Sequence, residues 1–168
     1  AKSSVPENFT FYYEGASFHV TRAEDRDGNV VLSVRLANPT GSDDNLSPSD
    51  FVLSDGATSV TASLSSSIGD VPAGASGVGQ ITFQVPSGFN AAEAVLTVGP
   101  PGVDQVVVPF SSPSTAQLLT PVPIGVSGRS TALGPDKITL TAGELRFDDP
   151  TDQYQVNGGQ ALAEVVYS

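Results

Sequence analysis

The residues of this chain best able to do chemistry are its carboxylates, and they come in three groups. Asp25 and Asp27 stand beside Asn29; Asp43, Asp44 and Asn45 precede Asp50; Asp148 and Asp149 precede Asp152. Oxygen donors clustered on loops are what calcium takes, because that cation accepts about six to eight hard oxygens in a flexible geometry. Asp43, Asp44 and Asp50 form the candidate calcium site. None of the groups has the twelve-residue spacing of an EF-hand. Asp and Asn also recur in turns because their side chains hydrogen-bond the local backbone, so solvated turn residues are the default reading and calcium is the alternative. Calcium is the one cofactor for which the pattern leaves room.

Nucleophilic and acid–base chemistry find little support. His19 is the only histidine; it falls on a strand surface with no serine or aspartate motif around it, whereas an enzyme needs several convergent groups. The chain has no cysteine, hence no thiolate, no disulfide framework and no zinc cluster. Gly74, Gly77 and Gly79 lie between strand patterns with no helix following, which suits turns and bulges rather than a phosphate loop. No catalytic residue is expected, and the protein reads as non-enzymatic. Two glycosylation sequons occur, at Asn8 and Asn45, and matter only in a host that glycosylates exported chains. Asn38 is excluded by the proline that follows it.

The elements that would position these groups are strands. From Asn29 the chain alternates, with Val30, Leu32, Val34 and Leu36 on one face, and Phe51 and Leu53 point inward from a second strand that ends at Asp55-Gly56. Phe9 to Tyr13 and Ser17 to Glu24 come before; a tight turn at Asp25 to Asn29, with Gly28 free to take positive φ, delivers the chain into the central strand. Thr58 to Leu64, Gly77 to Val85, Ala94 to Val98 and Val103 to Phe110 follow. Such short alternating runs, broken by Gly and Pro, predict an all-β, antiparallel two-sheet sandwich over residues 1–110. Residues 111–136 carry Pro113, Pro121, Pro123 and Pro135 and read as a Pro-rich connection. Residues 137–168 read as a β-strand extension or a truncated second repeat, since Leu145-Arg-Phe147 and Gly159 parallel Phe18-His-Val20 and Gly28.

Charge and length narrow the function. Over 168 residues, 18 acidic side chains face seven basic ones, for a net charge of −11. That surface repels phosphate backbones and anionic lipid, so no nucleic acid is expected as a partner. No stretch approaches the roughly 18 consecutive apolar residues of a membrane span, so direct membrane insertion is not expected. An opening AKSSVPEN and the absence of methionine are what a mature exported chain would show.

The run into Asn38-Pro-Thr40, then Ser47 to Gly56, then Val71-Pro-Ala-Gly74 ahead of Gly79 to Pro86, resembles a family of immunoglobulin-like extracytoplasmic domains of bacterial lipoproteins and cell-envelope proteins that includes the DUF4352 family. The resemblance spans Phe9 to Val98, and its motifs are structural. It implies an immunoglobulin-like sandwich in an exported, non-enzymatic interaction module. This chain lacks the cysteine that anchors lipoprotein members to lipid.

The expected function is an extracellular or cell-surface structural and interaction module with protein partners or self-association, as in a surface assembly or fibre. The alternative is a carbohydrate- or ligand-binding sandwich, with Tyr12, Tyr13 and the loop aspartates and asparagines as contacts. The tail strands have three possible fates: completing the sheets of the first block, opening a second domain, or pairing with a neighbour. If the middle carboxylates bind calcium, millimolar calcium raises the melting temperature, because a ligand of the native state stabilises it. Asp43→Asn with Asp44→Asn then removes the shift in a calorimetric scan, and an unchanged wild-type melt refutes the site.

Overall fold

The computed structural model describes residues 5–41, 46–63, 71–126, 128–148 and 156–168. Its first eight strands are β1 (Phe9–Tyr13), β2 (Ala16–Arg26), β3 (Asn29–Ala37), β4 (Phe51–Ser54), β5 (Ser59–Thr61), β6 (Ser76–Gln84), β7 (Val95–Val98) and β8 (Val106–Pro109). They form two antiparallel sheets, in the orders β1-β2-β3-β6 and β5-β4-β7-β8. Setting β1 aside, three strands face four in the crossing order of an immunoglobulin-like sandwich. The described residues contain no α-helix, only short 3₁₀ turns.

Alternation along the strands builds the interior. Val30, Leu32, Val34 and Leu36 of β3 are buried, as are Phe51 and Leu53 of β4, with Ile81, Phe83, Leu96, Val98, Val106 and Val108 around them. Phe11 stacks on Phe18 with ring centroids 4.8 Å apart, and Phe18 meets the edge of Phe51 at 5.8 Å, which ties the two sheets together across the core.

β2 is longer than its sequence pattern suggests. A β-bulge lies between Val20 and Arg22, where Val20 pairs with Val34 but Arg22 with Ser33. The extra residue shifts the parity, so Ala23 rather than Arg22 follows Phe18 and Val20 into the core. Thr21, the residue in the bulge, donates its hydroxyl to the Ser33 carbonyl at 3.1 Å. The β2–β3 turn places Asp27 at φ 52° and Gly28 at φ 74°, the pair of positive angles that a two-residue type I′ turn requires.

The tail carries strands over 137–168, as the β extension predicts, and adds two short ones within the expected connection. Strands β9 (Val122–Pro123) and β10 (Ser130–Leu133) lie within the stretch 111–136, and one long strand, β11 (Asp136–Arg146), covers Ile138 to Arg146. β12 (Leu162–Tyr167) pairs antiparallel with β11, while β9 and β10 also pair with β11. The four make a third sheet, and none joins either sandwich sheet. Just before them the chain closes one side of the sandwich: Gln117 bridges to Val107 of β8, Tyr12 of β1 donates its amide to the Leu118 carbonyl at 3.0 Å, and Leu119 is buried. Proline predicts extension here, but it does not say where the extended chain lies.

Leu32 is fully buried between the sheets, so Leu32→Ala is expected to cost about 2–5 kcal/mol in urea denaturation. Val78 is 80% exposed on β6, and Val78→Ala should stay within about 0.5 kcal/mol. Equal costs at the two positions would show that the burial pattern is wrong.

Candidate binding surfaces

The tail sheet is joined to the sandwich through one buried arginine. Arg146, the last residue of β11, is 4% exposed. Its Nε donates to Asp148 Oδ1 at 3.3 Å and its second terminal nitrogen to Asp148 Oδ2 at 3.1 Å, a two-point pairing. The same nitrogen donates to the Gly15 carbonyl at 3.3 Å, and the Gly15 amide donates to Asp148 Oδ2 at 2.7 Å. The tail pair thus grips both backbone groups of one residue in the β1–β2 turn. The other terminal nitrogen donates to Glu144 at 2.9 Å and lies 3.9 Å from Glu164 of β12. Burial alone would lower the Arg146 pKa, but the hydrogen bonds and charges of Asp148 and Glu144 outweigh it and push the guanidinium above its ordinary value.

A second contact lies at the β7–β8 loop. Val103 bridges to Asn157, the Asp104 amide donates to the buried Val156 at 3.3 Å, and the Gly159 amide donates to Asp104 Oδ1 at 3.1 Å. Asp104 Oδ2 is shut off from solvent and has no hydrogen-bond partner among the described residues. An open depression of about 420 Å³ lies here, lined by Asp104, Gln117, Leu119, Thr120, Phe147 and Gly159.

Beyond these contacts β12 stands clear. Val165, Val166 and Tyr167 are 42%, 52% and 66% exposed, so apolar side chains face water on both sides of the strand. β11 uses one flank for β9 and β10, because Thr139 pairs with Ser130 there while exchanging two hydrogen bonds with Ser168 on the other flank. That leaves β12 at the border of the sheet, with its outward amides and carbonyls unpaired by any described strand.

The residues singled out by type fall apart in space. Asp43, Asp44 and Asn45 lie outside the described residues. Asp50 ends a 3₁₀ turn over Pro48–Asp50, where burial raises its carboxyl pKa and the Ser47 backbone amide partly offsets that. Among the described residues no three acidic or histidine side chains converge as metal ligands. Asn8 is exposed at φ 60°. His19 pairs across β1–β2 with Thr10, whose hydroxyl lies 2.9 Å from the ring Nδ1. Tyr13 is buried with its ring edge against Phe51, and Tyr12 packs partly buried on the core, so the two do not form a flat stacking platform.

Two structural residues escaped reading by type. Arg146 is the one charged residue between Leu145 and Phe147, yet it is the most buried of the three. The available signal was Glu144, Arg146 and Asp148 at alternate positions, opposite charges on one strand face. Asn38 looked like a strand end; it is 1% exposed, donates to the Val71 carbonyl at 2.9 Å and accepts from the Thr40 amide at 2.9 Å. Asn38 is therefore a buried brace between loops.

No family model matches the sequence, and no curated protein does. Among solved structures, a functionally unknown protein from Listeria monocytogenes EGD-e superposes with a TM-score of 0.50 at 16% identity, over 64% of this chain and 83% of that one. The yjhA protein from Bacillus subtilis superposes with a TM-score of 0.42 at 15% identity, over 55% of this chain and 78% of that one. At such identity the first likeness speaks for the sandwich fold alone.

Removing one partner of a buried ion pair strands the other, at a cost of about 3–5 kcal/mol. Asp148→Leu should therefore release the tail and expose the Gly15 amide to hydrogen exchange, and Arg146→Met added to it should restore most of the loss. Unchanged protection at Gly15 in the single variant would show that the pair does not hold the joint.

Proposed function

We propose that this chain is a non-enzymatic interaction module of the extracellular or cell-surface kind, which takes protein partners by adding their strands to β12. One observation carries the reading: Leu162–Tyr167 is a six-residue border strand, rich in β-branched and aromatic side chains, on a sheet anchored to the sandwich by the Arg146 joint. Strands that bind in this way gain main-chain hydrogen bonds for affinity and side-chain contacts at alternate positions for specificity. Proteins that avoid such pairing blunt their borders with lysine, proline or bulges. β12 has no lysine and no proline, and Glu164 is its single charge; the one bulge in its ladder lies on β11, between Leu140 and Ala142.

The test is binding of extended peptides from a random hexapeptide library, followed by amide chemical shifts. Peptides that bind should perturb Leu162 to Tyr167, and Val166→Lys should weaken them by about tenfold. Binding that leaves the β12 amides unmoved, or no binding at all, rejects the reading.

A further inference from the structure

We infer that the partner of β12 is a second copy of this chain, paired antiparallel across a two-fold axis at Val165 to join two tail sheets into one. The inference rests on the strand-addition reading above and adds the identity of the strand.

Charge distribution supplies the first argument. A protein of net charge −11 repels its own copies, so self-association needs a face where that charge is absent. The tail strands carry Lys137 and Arg146 against Asp136, Glu144 and Glu164, and Arg129 stands just ahead of β10. In and beside the strands these charges cancel; with Asp148, Asp149 and Asp152 the stretch 111–168 carries three excess acids, against eight in residues 1–110. Glu164 itself lies 3.9 Å from the Arg146 guanidinium. A like-charged copy therefore meets less repulsion at the tail strands than at the sandwich segments.

Register supplies the second. With the axis at Val165, that residue faces its own copy, Ala163 faces Tyr167 of the other copy, and Glu164 faces Val166. One face of the joined strands then carries only Ala163, Val165 and Tyr167 from both chains. An axis at Glu164 would set two carboxylates directly opposite, which destabilises a strand pair. An axis midway between Glu164 and Val165 would mix the carboxylates into both faces. Because each copy uses the same border, the assembly closes as a dimer rather than growing into a fibre.

Sedimentation equilibrium of the full chain tests this in three ways. A monomer–dimer equilibrium should appear, and it should tighten as salt rises from about 0.1 M to about 1 M, where repulsion is screened. Val165→Glu, which sets two carboxylates directly opposite across the axis, should weaken it by about tenfold while leaving the circular dichroism spectrum and melting temperature of the monomer unchanged. Under an oxidant, Val165→Cys should cross-link two copies, and Glu164→Cys should not, because cysteines bridge only at short Cα separations. A chain monomeric at every salt concentration, a dimer indifferent to Val165→Glu, or cross-linking at position 164 but not 165 overturns the inference. A monomer whose β12 still binds extended peptides overturns the second copy alone and leaves the strand-addition reading standing.

Discussion

A guanidinium taken out of water must find partners, and at Arg146 that requirement sets the relation between the two parts of this molecule. A charge that is 4% exposed is tolerable only when a carboxylate and further acceptors surround it. Asp148 supplies the carboxylate and Gly15 a carbonyl, with Glu144 at the rim. Asp148 in turn accepts from the Gly15 amide. The arrangement gives little slack. Moving the tail by a residue would leave a charge and two backbone groups unpaired, so the pair acts as a specific joint more than as a source of stability.

The sandwich needs no such device, because its two sheets meet through continuous apolar faces. Its vulnerable flank is the gap between β1 and β8, where two border strands would otherwise lie open. The chain from Gln117 to Leu119 covers that gap, pairing with Val107 on one side and Tyr12 on the other, and burying Leu119 beneath. Only after this does it leave to build the tail. One passage of chain therefore protects two borders of the sandwich.

The tail is treated differently. Gly143 shows how closely its layers approach: a Cβ there would come within 2.5 Å of the Val126 side chain and 3.0 Å of Ile124. That close packing covers one face of β11, while β12 keeps both faces and its outer border exposed. The fold covers the β1 and β8 borders of its sandwich with its own chain and leaves β12 bare at a border of the tail sheet. The proposed interaction function follows from that contrast.

Much of the sandwich was legible because strand alternation is a local property: Val30, Leu32, Val34 and Leu36 must share a face in any extended chain. The turn at Asp27-Gly28 was legible for the same reason, since its angles follow from the residues themselves. The bulge at Thr21 was not, because an extra residue appears only against a partner strand. Nor was the role of Arg146, whose burial depends on Gly15, 131 residues away in sequence. Local chemistry determined which segments extend, which faces are apolar and where turns fall. Tertiary structure decided which charge is buried, which border is sealed and which is left open, because each of those depends on groups brought together only by the folded chain.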